Sequence, residues 1–496
     1  MKNNIHKLLK FSALTTLLFV STSCKDFLKE ELISQYNPND FLQDKSGVDA
    51  LLTGAYSALA VTNYDMRDNY FCLGEFNTDI ALESGGGLER SVIPYMQFNW
   101  DANSDFLNGQ YNKFYNAIAR ANNVILVANT LQGVNAATVA QINAEAKFIR
   151  AFSYFMLHNI FGPTPIIDIP AGASLDEIEK LGKQTPKATE DKYRAYVEED
   201  LLFATKTLKA DPLSSRANLG NSWGLLTKFY LSNREWQKAS NAASEVMKFD
   251  YELYADYTKL FAVDGENNKE YILRFECAVG ASSPQVNVYM PHAFPPSYPI
   301  NPAWSNFGAQ FRTYTDFYEK FDLTDVRRKL FIDEYVLIGQ TALTKLARDA
   351  AGRALNNVRS FKYTPDATGT ADRFGNDIPY IRLSDILLSK AESLNEINGP
   401  TQEAIDLINR VRTRAKVALL KLADYTTKEK LRDFILEERA KEFYSEGKRR
   451  EDLVRHNKFI QQALDRKINA KPHQVLYPFP TAQIDNNPNL KQNDGY

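Results

Sequence analysis

Cysteine is scarce in this chain. Its 496 residues include three, Cys24, Cys72 and Cys277. No pair has the spacing of a zinc site, and three are too few for a disulfide framework. Histidine is nearly as rare. His6, His158, His292, His456 and His473 are scattered along the chain, with no HExxH or other paired-His spacing. An excess of basic charge is missing too. Lys and Arg total 59 against 61 Asp and Glu, a formal net charge of −2, so the concentrated cations that bind phosphate backbones are absent and no nucleic acid is expected. No G-x-S-x-G elbow occurs, and Gly85-Gly86-Gly87-Leu88-Glu89-Arg90 lacks the Lys-Ser/Thr of a phosphate loop, so it reads as a flexible turn. A glycosidase needs two carboxylates across a cleft. With 61 acids some such pair is inevitable, and none is singled out. The expectation is a protein with no catalytic residue, no metal and no cofactor. A binder rather than an enzyme is expected.

What is present starts at the N-terminus. Lys2, Lys7 and Lys10 flank a short apolar run, Phe11 to Val20, which is followed by Ser21-Thr22-Ser23 and Cys24. The run is too short to span a bilayer and reads as a secretory signal, residues 1–23. Small residues directly before Cys24 suit a lipoprotein signal in which that thiol takes the lipid, although Ser21 stands where such signals usually have Leu. Several acyl chains on one residue anchor a protein stably. The polar stretch 24–40 then serves as a tether, and no later run resembles a transmembrane helix. Loss of the three signal lysines moves the formal charge from −2 to −5. If Cys24 carries lipid, Cys72 and Cys277 are left as two thiols that sequence alone cannot pair. Two separate thiols are expected.

The body, 44% hydrophobic with mean hydropathy −0.39, can bury a sizeable core. Its pattern is mostly helical. Helices are predicted over 110–130, over about 138–161 with Ile142, Ala146, Ile149, Phe152 and Met156 on one face, and over about 190–208. Gly162, Pro163 and Pro165 stop the second of these. An internal repeat follows. A helix over 223–231, a turn at Asn233-Arg234-Glu235 and a helix carrying Ala239, Ala243 and Val246 recur 165 residues later as 381–396, Asn398-Gly399-Pro400 and a helix carrying Ala404, Ile408 and Val411. Small residues at the crossing and tight turns are what antiparallel helix pairs of the tetratricopeptide type require. Two long segments, about 63–101 and 276–312, break the pattern. They are too rich in Tyr, Phe and Trp for disorder, and aromatics make up 12% of the chain.

Four blocks then carry a resemblance. Glu145-Ala146-Lys147-Phe148-Ile149-Arg150-Ala151-Phe152 with Tyr154-Phe155 and Phe161-Gly162-Pro163 resembles the hallmark helix of the SusD/RagB-like outer-membrane nutrient-binding lipoproteins. Ile381 to Leu388 closing on Ala391-Glu392 is similar to their second hallmark. Glu438-Arg439, Glu442-Phe443, Glu446-Gly447 and Arg450-Glu451-Asp452-Leu453 are similar to the third, and Tyr477-Pro478-Phe479-Pro480 through Gln492-Asn493-Asp494-Gly495-Tyr496 to the terminal signature. The blocks occur in family order along the whole mature chain.

The resemblance implies a mainly α fold. About four tetratricopeptide-like helix pairs would scaffold long loops and a few short strands. Residues 41–496 would form one domain, with an N-terminal half to about 232 and a C-terminal half from about 270. It implies a SusC-like TonB-dependent transporter as partner, oligosaccharide as cargo, and a surface-exposed, lipid-anchored place at the outer membrane through Cys24. The charged hallmark residues Arg382, Asp385, Glu392, Glu438, Arg439, Glu442 and Arg450 are expected to form a structural ion-pair network.

Sugar rings stack their C–H faces on aromatics while polar side chains bind the hydroxyls. The first long loop offers Tyr64, Asp65, Arg67, Asn69, Tyr70 and Tyr95, the second Tyr298, Asn301, Trp304 and Asn306. Trp304, Tyr298, Asn301, Tyr64, Arg67, Tyr70 and Tyr95 are the expected ligand contacts, with Phe98 and Trp100 assigned to the core. Two alternatives remain: the same fold carrying peptide or glycoprotein, and a helical-repeat adaptor that binds only protein.

Overall fold

The computed structural model describes residues 44–59, 71–84, 87–280, 285–308, 310–345 and 355–496. Cys24, Tyr64, Arg67 and Tyr70 lie outside the described residues. In chain order the first helices are α1 (Lys45–Ala58), α2 (Glu89–Met96), α3 (Asp105–Ala128), α4 (Ala136–Phe161), α5 (Leu175–Gln184), α6 (Glu190–Thr207), α7 (Leu219–Ser232) and α8 (Trp236–Val246). After a mostly irregular segment come α9 (Tyr289–Ala293), α10 (Thr315–Tyr318), α11 (Leu383–Asn398), α12 (Gln402–Ala415), α13 (Lys428–Phe443), α14 (Arg449–Arg455), α15 (Phe459–Asp465) and α16 (Thr481–Asn486). The fold is mainly helical, as read from the sequence.

Local chemistry sets the helix ends. Asn135 caps α4 by accepting the Thr138 N–H at 2.8 Å, and Gly162, at φ 73°, closes it in a backbone region that only glycine enters freely. Asn218 and Asn221 form a reciprocal capping box on α7, and Thr401 caps α12. The repeated pairs behave as their periodicity requires. Ala239, Ala243 and Val246 on α8 and Ala404, Ile408 and Val411 on α12 are all 0% exposed. Helices pack in a continuous row, α1 on α3, α3 on α4, α4 on α6, α6 on α7, α7 on α8, α8 on α11, and α11 on both α12 and α13.

The strands are short and antiparallel: β1 (Ala81–Glu83), β2 (Tyr271–Phe275), β3 (Phe311–Thr313), β4 (Phe331–Ile332), β5 (Glu334–Val336), β6 (Leu343–Lys345), β7 (Arg359–Ser360) and β8 (Ile378–Arg382). They pair as β1–β3, β2–β8, β4–β7 and β5–β6. Here the sequence reading needs correction. Ile381 and Arg382 were expected to begin a helix, yet they end β8, where Ile381 faces Leu273 and Arg382 faces Tyr271. All ten residues of β2 and β8 are buried, so the run 378–382 is a strand closed on both faces, which apolar periodicity does not distinguish from a buried helix.

The first aromatic segment also carries structure that the sequence reading missed. Cys72–Phe76 is a π-helical turn, followed by β1 and α2. Glu75, fully buried, accepts the backbone N–H groups of Ser445, Glu446 and Gly447 at 3.1, 3.0 and 2.8 Å. Gly74 permits this approach, since a Cβ there would lie 2.2 Å from the Gly447 carbonyl oxygen.

The charged hallmark residues form a buried network, although not by the local helical spacing. Glu438, Arg439 and Glu442 find their partners on other elements. Glu438 pairs with Arg327 and Arg412, Glu442 with Arg382, Arg414 and Arg327, and Arg439 with Asp385 and Asp452. Glu392 takes Arg455 through two bonds of 2.6 and 2.9 Å. Arg450 differs: it donates to the carbonyls of Asn159 and Val475 and lies over the Tyr477 ring. Partner cations hold Asp385, Glu392, Glu438 and Glu442 below the usual carboxylate range against the opposing cost of burial. Charges buried and paired in this way are scaffold.

Candidate functional site

The two aromatic segments meet at their bases. β1 pairs with β3, Phe71 packs edge-on against Tyr289 at 5.4 Å, and Phe76 lies 5.1 Å from Phe311. From this floor the second segment rises as a loop tied down by its own backbone. Tyr298 N donates to Pro295 O at 3.2 Å, Trp304 N to Asn301 O at 2.9 Å, and the 303–305 strip exchanges hydrogen bonds of 2.7 Å with Ala371. Asn306 is used inside the loop, its Nδ2 donating to Pro295 O and its Oδ1 accepting from Gly308 N, each at 2.9 Å.

This scaffolding presents a set of rings. Phe294 is fully buried, and the rings of Trp304 and Tyr298 lie nearly parallel to it, at 2° and 11°, both with centroids 5.9 Å away. Trp304 and Tyr298 are themselves half-buried. The indole Nε1 of Trp304 donates to Gly369 O at 3.0 Å, which fixes the ring plane. Burial pushes the Tyr298 phenol above its ordinary pKa, so its hydroxyl stays a neutral donor and acceptor. Asn301 is exposed beside them, its Oδ1 accepting the Ala303 N–H at 2.9 Å. Rings locked this way keep partly open faces without losing rotamer freedom on binding, which is the arrangement that stacks on a sugar.

The site extends beyond the loop read from the sequence. Tyr335 of β5 lies 5.5 Å from the Tyr298 ring and donates its hydroxyl to Pro296 O at 2.9 Å. Phe307, 40% exposed, packs over His292 at 4.8 Å. The aromatic and aliphatic run Tyr335 to Ile338 ending at Gly339, at φ 76°, was the available signal for the hairpin that carries Tyr335.

Tyr95 is not part of this surface. It is 1% exposed, stacked between Trp100 and Phe106 at 5.9 and 5.7 Å, with its hydroxyl bonded to Ser104. Its ring is consumed by the core, because α2 turns it inward toward Tyr477. Phe98 and Trp100, 4% and 5% exposed, are core as expected. Concavities lie elsewhere, 630 Å³ between α1, α4 and the 208–218 segment and 530 Å³ around 170–186, and neither is lined by an aromatic side chain. Among the described residues no three His, Cys, Asp or Glu side chains gather to hold a metal, and no helix is long and apolar enough to cross a membrane.

Comparison with known proteins adds a second line. Residues 331–496 match the model of the SusD family, and residues 26–231 match a model described as "Starch-binding associating with outer membrane". A SusD-like protein, P25, of Formosa agariphila is 25% identical, covering 96% of this chain and 97% of its own. The starch-binding protein SusD of Bacteroides thetaiotaomicron is 23% identical over 74% of both chains. Among solved structures, a SusD superfamily protein from Parabacteroides distasonis superposes with a TM-score of 0.77 at 23% identity, covering 91% of this chain and 99% of that one. A laminarin-binding SusD-like protein reaches 0.75 at 21% identity, over 92% and 100%.

Proposed function

Because the chain belongs to the SusD/RagB-like family, we propose that it is a cell-surface glycan-binding protein that captures oligosaccharide and delivers it to a SusC-like TonB-dependent transporter. The observation that carries this reading is the pair of part-exposed rings of Trp304 and Tyr298, each nearly parallel to the buried Phe294, with Asn301 exposed beside them. Two aromatic faces accept the C–H faces of sugar rings, and Asn301 and the Tyr298 hydroxyl orient the hydroxyls. Tyr335 widens the platform for a second ring. No bond is made or broken by such a site, and the protein is a binder rather than an enzyme. Tyr64, Arg67 and Tyr70 remain proposed contacts.

The glycan named for some relatives, starch in SusD and laminarin in a SusD-like structure, supports the ligand class and leaves the sugar to experiment. The family description associates its members with the outer membrane. Acylation of Cys24, with residues 24–40 as tether, supplies the anchor in this reading.

The test is affinity electrophoresis of the soluble chain, from Lys25 onward, through gels containing different polysaccharides, with a Trp304→Ala variant alongside. Retardation by one glycan that disappears in the variant supports the function and the site together. Retardation that persists keeps the function and moves the site. No retardation by any glycan transfers the reading to peptide cargo.

A further inference from the structure

The loop of residues 366–375 holds Trp304 from behind, and it does so in three ways. Ala371 exchanges backbone hydrogen bonds with Ala303 and Ser305, Gly369 O accepts from the indole Nε1, and the Phe374 ring meets the indole edge-on at 5.4 Å. Phe374 is itself 0% exposed, and its N–H and C=O bond to Asn287 at 3.0 and 2.9 Å, so the end of the loop is anchored in the core. The stretch before it runs over the surface, with Ala367, Thr368, Thr370 and Ala371 all exposed.

One side chain closes this loop. Asp366 is 6% exposed, and its Oδ1 accepts from Thr368 N and Thr368 Oγ1, each at 2.8 Å, while Oδ2 accepts from Gly375 N at 3.0 Å. Its backbone carbonyl takes the Gly369 N–H, also at 3.0 Å. A single carboxylate therefore pins the start of the loop to its end, nine residues on. Glycine stands where contact requires it. A Cβ on Gly375 would lie 2.9 Å from Asp366 Oδ2, and one on Gly369 would lie 2.9 Å from the Phe374 ring. The hallmark acids take cations from distant elements, whereas these bonds of Asp366 stay inside its own loop. Its charge shapes a turn, as a short carboxylate does when it accepts from the backbone two residues on.

We propose that Asp366 is a positioning residue of the glycan platform, its carboxylate closing the 366–375 loop and the loop fixing the place and plane of Trp304. Buried and spent on its own loop, Asp366 does not touch the ligand; it acts through the indole. The consequence for binding rests on the glycan reading above, and the hold on Trp304 does not. Without the carboxylate, Gly369 O is released from its place under the indole. A ring that was ordered beforehand must then be ordered by the ligand, and a contact whose support is loose binds less well.

The soluble chain from Lys25 onward, labelled with 5-fluorotryptophan, gives one fluorine resonance for each of its four tryptophans, and Trp304→Phe identifies that of Trp304. Asp366→Ala should move or broaden this resonance with no glycan present and leave those of Trp100, Trp223 and Trp236 in place. Thr368→Ala, at an exposed position, removes only the hydroxyl bonds to the carboxylate. It should move the same resonance by less, and it carries the test if Asp366→Ala does not fold. In gels of soluble starch and of laminarin, Asp366→Ala should weaken binding about fivefold, the share of one side chain that must be ordered on binding. Added to Trp304→Ala, it should cause no further loss. A Trp304 resonance unmoved in the folded variants, movement of all four resonances alike, or unchanged retardation where the resonance has moved each overturns the proposal. If neither glycan retards the unaltered chain while the Trp304 resonance moves, the hold on Trp304 stands and the glycan reading fails.

Discussion

Arg382 grips Glu446 with two hydrogen bonds, Nε to Oε2 at 3.0 Å and Nη2 to Oε1 at 2.7 Å, and neither side chain has any exposure to water. The pair joins β8 to the turn after α13, and the same guanidinium reaches Glu442 at 2.9 Å and Glu270 at 2.5 Å. Arg382→Leu would take a cation from three buried carboxylates at once, leaving Lys362 to Glu446, Arg414 to Glu270, and Arg414 and Arg327 to Glu442. Removing one partner of a buried ion pair costs about 3–5 kcal/mol, and a fall of that size in the free energy of unfolding is expected from urea titration.

The glycan platform and the aromatic core separate cleanly by mutation. Trp304→Ala should weaken glycan binding by at least about 2 kcal/mol, some thirtyfold, as for a central aromatic contact, and should also lower thermal stability, because it removes the stack on Phe294 and the bond to Gly369 O. Tyr95→Phe should lower stability alone. Loss of its bond to Ser104 costs about 1 kcal/mol of stability and leaves gel retardation as it was.

Acid should unfold the protein by releasing its buried cations. Asp452 is held down at about 2, its burial outweighed by Arg439 and Arg455. A carboxyl whose folded pKa is lowered stabilises above its unfolded pKa and loses that contribution as pH falls through the folded value. The loss should run from near pH 4 to near pH 2, and Asp452→Asn should flatten this limb in melting temperatures taken across it.

Glu83 acts in the opposite sense. It is 2% exposed with both carboxyl oxygens unpartnered, and burial, with Glu89 nearby, pushes it up to about 8. Its contribution is complete below pH 4.5, the unfolded value, and is lost as pH rises through about 8. Melting temperature should therefore fall less between pH 5 and pH 9 in Glu83→Gln than in the unaltered protein.

Thiol chemistry should show two independent cysteines in the soluble chain. Cys72 is wholly buried and Cys277 half-buried, with burial raising each thiol well above its ordinary pKa. Alkylation should be slow in the folded state and reach both thiols after unfolding, without prior reduction. In the full chain, Cys24→Ser should abolish acyl labelling and release the protein from membranes.

The sequence by itself determined the helical scaffold, because its signals are local. Apolar residues three and four apart fall on one helical face wherever the helix lies, so the pairs at 239–246 and 404–411 were legible without their neighbours. The caps at Asn135 and Thr401 act within three residues, and the glycine that closes α4 needs only its own φ. Tertiary structure decided everything that depends on a distant partner. Ile381 and Arg382 became strand because residues 271–275 pair with them over a hundred positions away. The acids of α13 took cations from Arg327, Arg382 and Arg412 rather than from their own helix. Tyr95 and Trp304 look alike as loop aromatics. One is turned into the core by α2, while the other lies flat on Phe294 with part of its surface open. Which face of an aromatic ring stays open is set by what packs on the other, and that contact is not local.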